Sequence, residues 1–227
     1  MTPVPYLMPL TLAAYVGYRY WAQAQRSAKI DSATSAWARR QGLAPGAPPA
    51  AGATPTLSLP EGSGHDCWQL PIGDGSGTLC RWTWMIQEGS EAHMGEATVV
   101  SAMLAAGFPH FRVVPRCGFV APSAGWDEQE LHLESVELEA GFRVLAGRDG
   151  DRQALLELFD PETIVWLINR GRAAPVIEYQ LGTLVVVSQH PCTTDVELDA
   201  LVEQARHLAS RVLAQGLLHR PGASSLA

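Results

Sequence analysis

Residues Thr78–Gln87 place Leu79, Arg81, Thr83 and Met85 on one side of an extended strand and Cys80, Trp82, Trp84 and Ile86 on the other. Side chains alternate across a strand with a period of two, so apolar groups emerge on both faces. A strand of this kind belongs inside a sheet that is covered on both sides. The cluster Gly73-Asp74-Gly75-Ser76-Gly77 just before it supplies turn chemistry, and Cys67–Ile72 reads as the strand on the far side of that turn. Trp82 and Trp84 share a face, and Trp68 sits on the neighbouring strand. The three indoles are a candidate binding surface, weighed against the commoner fate of large aromatics, which is core.

The remainder of the chain reads in the same way. Ala97–Leu104 and His110–Val114 are strand segments, the first also compatible with a helix. Leu131–Leu138 alternates Leu and Val with Glu and His, and Phe142–Leu145 is a short strand. Asp151 is placed to cap a helix running to Phe159, and Asp160-Pro161 to start a second one ending at Gly171. Val176–Gln180 and Thr183–Ser188 form a hairpin through Leu181-Gly182. Thr194 with Glu197 is a capping box for a last helix, whose stripe runs Leu198, Leu201, Val202, Ala205, Leu208, Ala209 and Val212 up to Gly216. Strand runs followed by helices and a closing hairpin predict an α+β fold, with a mixed or antiparallel sheet and two or three packed helices. Its expected extent is residues 67–218, with 219–227 a disordered tail.

Ahead of this domain, Val4–Tyr18 carries no charge and is followed by Arg19, Arg26, Lys29, Arg39 and Arg40. Tyr15, Tyr18, Tyr20 and Trp21 gather at its end, as interfacial aromatics do. This predicts a single-pass transmembrane anchor over residues 1–22, a juxtamembrane helix over 23–43 and a Pro/Ala/Gly-rich linker over 44–66. The positive-inside rule then puts the domain on the cytoplasmic side of the cell membrane. A buried soluble helix, or a signal peptide ending at Ala22-Gln23-Ala24, is the competing reading.

A net charge of −7 excludes the basic footprint of a nucleic-acid binder. Cys67, Cys80, Cys117 and Cys192 are scattered and read as reduced thiols in a domain that is not exported. His65 with Cys67 and His190 with Cys192 offer four nitrogen and sulfur ligands of zinc type, at spacings tighter than usual zinc motifs. Glu134, Glu137 and Glu139 near Asp149 and Asp151 could do acid–base work, but the period puts Glu137 and Glu139 on a solvated strand face. Ser135 and Ser188 lack a nucleophile-elbow setting, and Gly73–Gly77 lacks the Lys-Ser/Thr of a phosphate loop.

One resemblance extends this reading. Glu134-Ser135, Phe142-Arg143-Val144, Ala154, Leu158, Asp160-Pro161, Trp166-Leu167 and Gly182-Thr183-Leu184-Val185-Val186 resemble an uncharacterised group of bacterial, actinobacterial-type, membrane-anchored proteins. It implies an anchor, a basic helix and a domain of unknown function, with no catalytic residues and no cofactor. The expected function is a membrane-tethered module that binds a protein partner or assembles at the inner face. The alternative is an enzyme or small-ligand receptor with its pocket near Trp68, Trp82 and Trp84.

Overall fold

A computed structural model describes residues 7–47, 62–73, 75–88, 91–104, 107–116, 127–148, 150–171 and 174–218. The elements in chain order are α1 (Leu7–Arg40), β1 (Gly62–Ile72), β2 (Gly75–Glu88), β3 (Glu91–Met103), β4 (Phe111–Pro115) and β5 (Glu128–Glu130). They continue with α2 (Val136–Gly141), β6 (Phe142–Gly147), α3 (Arg152–Leu158), α4 (Pro161–Ile168), β7 (Val176–Gln180), β8 (Thr183–Val187) and α5 (Asp195–Leu218). The eight strands form one sheet in the order β1-β2-β3-β8-β7-β4-β6-β5. Every pairing in it is antiparallel.

The fold class is α+β, and the domain after α1 carries four described helices, α2–α5, rather than two or three. They lie on one face. α5 packs on β3 and β8, α1 and α3 pack on α5, and α2 packs on β6 and α4. Leu79, Val100, Phe111, Val113, Val144, Ile177, Tyr179, Leu184 and Val186 point into this layer. The alternate residues face the other way. There Trp82, Trp84, Ala97, Val99, Val114, Leu145, Val176, Val185 and Val187 form a second buried cluster across six strands. The two-faced β2 of the sequence therefore sits second from the sheet edge, with Leu79 buried on one face and Cys80, Trp82 and Trp84 on the other. Trp84 lies flat over its register partner Gly95, where an added Cβ would come within 2.2 Å of the indole, so the strand needs glycine at that point.

The local signals act where expected. Asp151 accepts from the amides of Gln153 and Ala154, and Asp160 from that of Thr163 at 2.8 Å. Glu197 accepts from Thr194 N while Thr194 Oγ1 accepts from Glu197 N, which closes the capping box. Leu181 and Gly182 both have positive φ, 47° and 81°, the pair of values that lets a two-residue turn follow the twist of β7 and β8.

Three expectations need correction. Leu131–Leu138 is not a strand: β5 stops at Glu130, Ser135 caps α2 by accepting from Leu138 N, and Glu137 and Glu139 lie in the first turn of that helix. There the carboxylates favour the helix N-terminus, and the local cap overrode a period-two pattern. Strand β1 is already formed at Gly62, ahead of Cys67, and Ala44–Gly46 pairs with it, through Gly46 N to Cys67 O and Gln69 N to Ala44 O. Residues 48–61 of the linker and the tail 219–227 lie outside the described residues.

The third correction concerns the anchor. α1 is one unbroken helix of 34 residues, about 51 Å long, which joins the predicted anchor to the predicted juxtamembrane helix. Among the described residues no helix is long and apolar enough to cross a membrane. Residues 1–6 of the predicted anchor lie outside the described residues.

Candidate functional site

The residues singled out from sequence do not assemble. Cys67 Sγ is bonded to Cys80 in a disulfide between β1 and β2, which removes it as a metal ligand and corrects the reading of these two thiols as reduced. Cys192 is free and buried, and burial pushes its thiol up to about 11. Its amide donates to Thr98 Oγ1. His65 pairs with Arg81, and Arg81 with Thr98, so His65 stands two strands from the Cys192 loop, about 10 Å away. It bonds instead to Ser63 and Thr83. The four-ligand set His65, Cys67, His190 and Cys192 is therefore not formed.

The indoles separate as well. The bulge between His65 and Trp68 sets Trp68 opposite Leu79, on the helix face, where it packs against the main core. Trp82 and Trp84 point to the other face and are 7% and 6% exposed. One residue of bulge thus moved Trp68 through the sheet, and the three tryptophans share no surface.

The polar cluster of the molecule lies elsewhere. On the second face of β4 and β7, Arg112 stands opposite Glu178 in register, and Glu128 of β5 reaches over β6 to form an ion pair with Arg112. His110 Nε2 is 3.2 Å from Glu128 Oε1 and 4.0 Å from Glu178 Oε1. Glu178 is 1% exposed, Arg112 3% and Gln180 2%. Extending the β4–β7 register by one residue brings Gln180 beside His110. Neither amide atom of Gln180 meets a hydrogen-bond partner among the described residues. Burial alone would raise the Glu128 carboxyl, but the His110 hydrogen bond and the charge and hydrogen bond of Arg112 outweigh it and hold it below its usual range. No local motif marks these residues in the chain. The signal was present in VIEYQ and FRVVP, short apolar strands with one charge at an inner position, where burial demands a partner.

A depressed carboxyl gives a pH dependence. The unfolded Glu128 titrates near 4.5 and the folded one lower. Its contribution to stability is complete above that unfolded value and is lost as pH falls through the folded one. Asp160 and Glu197 are lowered too and act with the same sign. Urea midpoints measured from pH 6 to pH 3 should therefore fall, and Glu128→Gln should flatten the profile. Parallel profiles for the two proteins would remove Glu128 from the account.

A second feature is the amino-terminal half of α1. Its other half is fixed to the domain. Ile30, Thr34, Trp37 and Ala38 are buried, Trp37 Nε1 donates to Asp199 at 2.7 Å, Asp31 pairs with Arg81, and Ser27 bonds to Glu96. Before Ser27 the helix carries Tyr15, Tyr18 and Trp21 at 57%, 64% and 60% exposure. Arg19 lies over the Tyr15 ring. Along β2 the path from Arg81 to Thr83 follows α1 backward from Asp31 to Ser27, so the exposed register pair Met85 and Met94 lies toward the same end. Tyr15, Tyr18 and Trp21 are thus exposed on the arm that also carries Arg19, Arg26 and Lys29.

No family model matches the chain, and no curated protein matches it. Among solved structures it is similar to the mycobacterial trehalose monomycolate transport factor A, with a TM-score of 0.56 and 9% identity, covering 80% of this chain and 93% of that one. At that identity the likeness is one of fold, so this chain has an α+β architecture that a bacterial transport factor also uses.

Proposed function

We propose that the protein is an accessory or assembly factor of the bacterial cell envelope, held on a lipid surface by the amino-terminal arm of α1. The observation that carries this reading is the exposure of Tyr15, Tyr18 and Trp21 on a helical arm that also carries Arg19, Arg26 and Lys29. Aromatic rings on a cationic helix partition to the headgroup boundary without spanning it. The resemblance to membrane-anchored proteins and the fold shared with a transport factor support the same role. The Cys67–Cys80 disulfide favours the oxidising side of that membrane over the cytoplasmic one.

Co-sedimentation with vesicles of mixed neutral and anionic phospholipid tests the proposal. The full chain should pellet with the lipid, and the triple variant Tyr15→Ser, Tyr18→Ser, Trp21→Ser should lose at least about tenfold in partitioning with unchanged melting, because all three side chains are exposed. Equal partitioning of both proteins, or none for either, would refute it.

A further inference from the structure

We infer that His110, Glu128 and Glu178 form a binding site for a divalent transition-metal cation of the zinc type. Nothing in the envelope reading requires this site, and it stands on separate residues. One ligand atom from each of the three residues lies within 4.8 Å of the other two. Ligands on a tetrahedral zinc, with bonds of about 2.0–2.2 Å, stand roughly 3.3–3.6 Å apart. The separations from His110 Nε2, 3.2 Å to Glu128 and 4.0 Å to Glu178, bracket that edge. Small side-chain rotations would therefore close the set, and the strands that carry the ligands would not move.

The surroundings suit a cation. Glu128 turns one oxygen, Oε1, to His110 and the other, Oε2, to Arg112. Arg112 thus orients the carboxylate by its far oxygen and leaves the near one for the metal, as outer partners of metal ligands do. One imidazole with two carboxylates favours a borderline cation such as Zn2+ over Ca2+ or Mg2+, which prefer oxygen alone.

The independent sign is Gln180. Its side chain is almost wholly buried on the same face, one step beyond the Phe111–Tyr179 pair that ends the β4–β7 register, and both amide atoms lack a partner among the described residues. Leaving such an amide unsatisfied costs about 1–3 kcal/mol. A water in the fourth position of the metal would accept from and donate to this amide, and three protein ligands plus one water is the usual form of an open zinc site.

The test uses the full chain and Zn2+ alone. After loading and gel filtration, metal analysis should find one zinc per chain, and competition with a chromophoric chelator gives the Kd. His110→Ala and Glu178→Gln should each weaken binding by about 100-fold, and Gln180→Leu by about tenfold, within the range seen when outer partners are removed. Because these variants change a buried cluster, Co2+ substitution of the unaltered chain provides a second readout. Visible d–d bands without a thiolate charge-transfer band support nitrogen and oxygen ligands. A thiolate band would place the metal at Cys192 and overturn the assignment. So would zinc that is not retained, or zinc retained equally by all three variants, which would put it on surface histidines.

Discussion

Arg112→Met is expected to destabilise the domain by about 3–5 kcal/mol, the usual cost of removing one partner of a buried ion pair. Arg112 is 3% exposed on β4, an inner strand, with Glu178 opposite it and Glu128 bonded to it. Methionine matches its volume, so little packing is lost. What remains is a pair of carboxylates in a poorly solvated layer, one of them without the guanidinium that paired with it. At roughly 2–4 °C per kcal/mol for a chain of this size, Tm should fall on the order of 10 °C. The deficit should shrink as pH drops below the usual carboxylate range, because protonation then removes the uncompensated charge. Arg112→Lys should rescue only part of the loss, since an ammonium cannot reproduce the planar fork. The double variant Arg112→Met, Glu128→Leu should recover more than half of it. Chemical denaturation of all four proteins measures these effects. A single variant within about 1 kcal/mol of the parent would show that the pair is not held as the structure has it.

The same cluster marks the limit of what the sequence disclosed. Strand and helix positions were legible wherever a local device wrote them: the Asp151 and Asp160 caps, the Thr194–Glu197 box, and the Leu181-Gly182 turn with positive φ at both residues. Each of these is satisfied within a few residues of itself. Three things were not local. A bulge between His65 and Trp68 reversed the face of Trp68 and broke up the tryptophan surface. A strand register set by pairing alone brought Cys67 to Cys80. Residues 68 positions apart, His110 and Glu178, became neighbours only through the strand order β7-β4-β6-β5. Period-two patterns report which residues share a face of one strand. They do not report which strand lies alongside.

The α1 helix shows the same division. Its basic stretch and its aromatic group lie on a helix as expected, and the inference of a membrane span rested on the uncharged run and on the aromatic residues at its end. Packing gives these residues another setting. Asp31, Thr34 and Trp37 tie the second half of the helix to β2 and α5, which leaves the first half extended from a fixed base. A rigid arm of this kind presents its rings at a set distance from the domain, which suits a surface contact better than a flexible tether would.

Phe111→Ala should match Arg112→Met in size while acting through the opposite face of the same strand. Phe111 is fully buried and is surrounded by three aromatic rings. It meets Phe108 edge-on at 6.0 Å and Phe159 edge-on at 5.5 Å, and stacks on Tyr179 at 6.0 Å with 14° between the planes. Truncation removes the transfer energy of the ring and three aromatic contacts, and leaves a cavity walled by strands that cannot collapse into it. Phe→Ala changes in such places cost about 3–5 kcal/mol. Phe111→Leu keeps most of the volume and should cost less than half as much. Because Arg112 and Phe111 are adjacent yet point through opposite faces, with no partner in common, the two losses should add to within about 0.5 kcal/mol in the double variant. Urea denaturation of the single and double variants measures this, with the single losses kept small enough to fit by using Phe111→Leu where Phe111→Ala leaves no folded baseline. Strong coupling between the two positions would mean that the sheet does not separate a polar face from an aromatic one at β4, and the assignment of faces on which the metal site rests would fall with it.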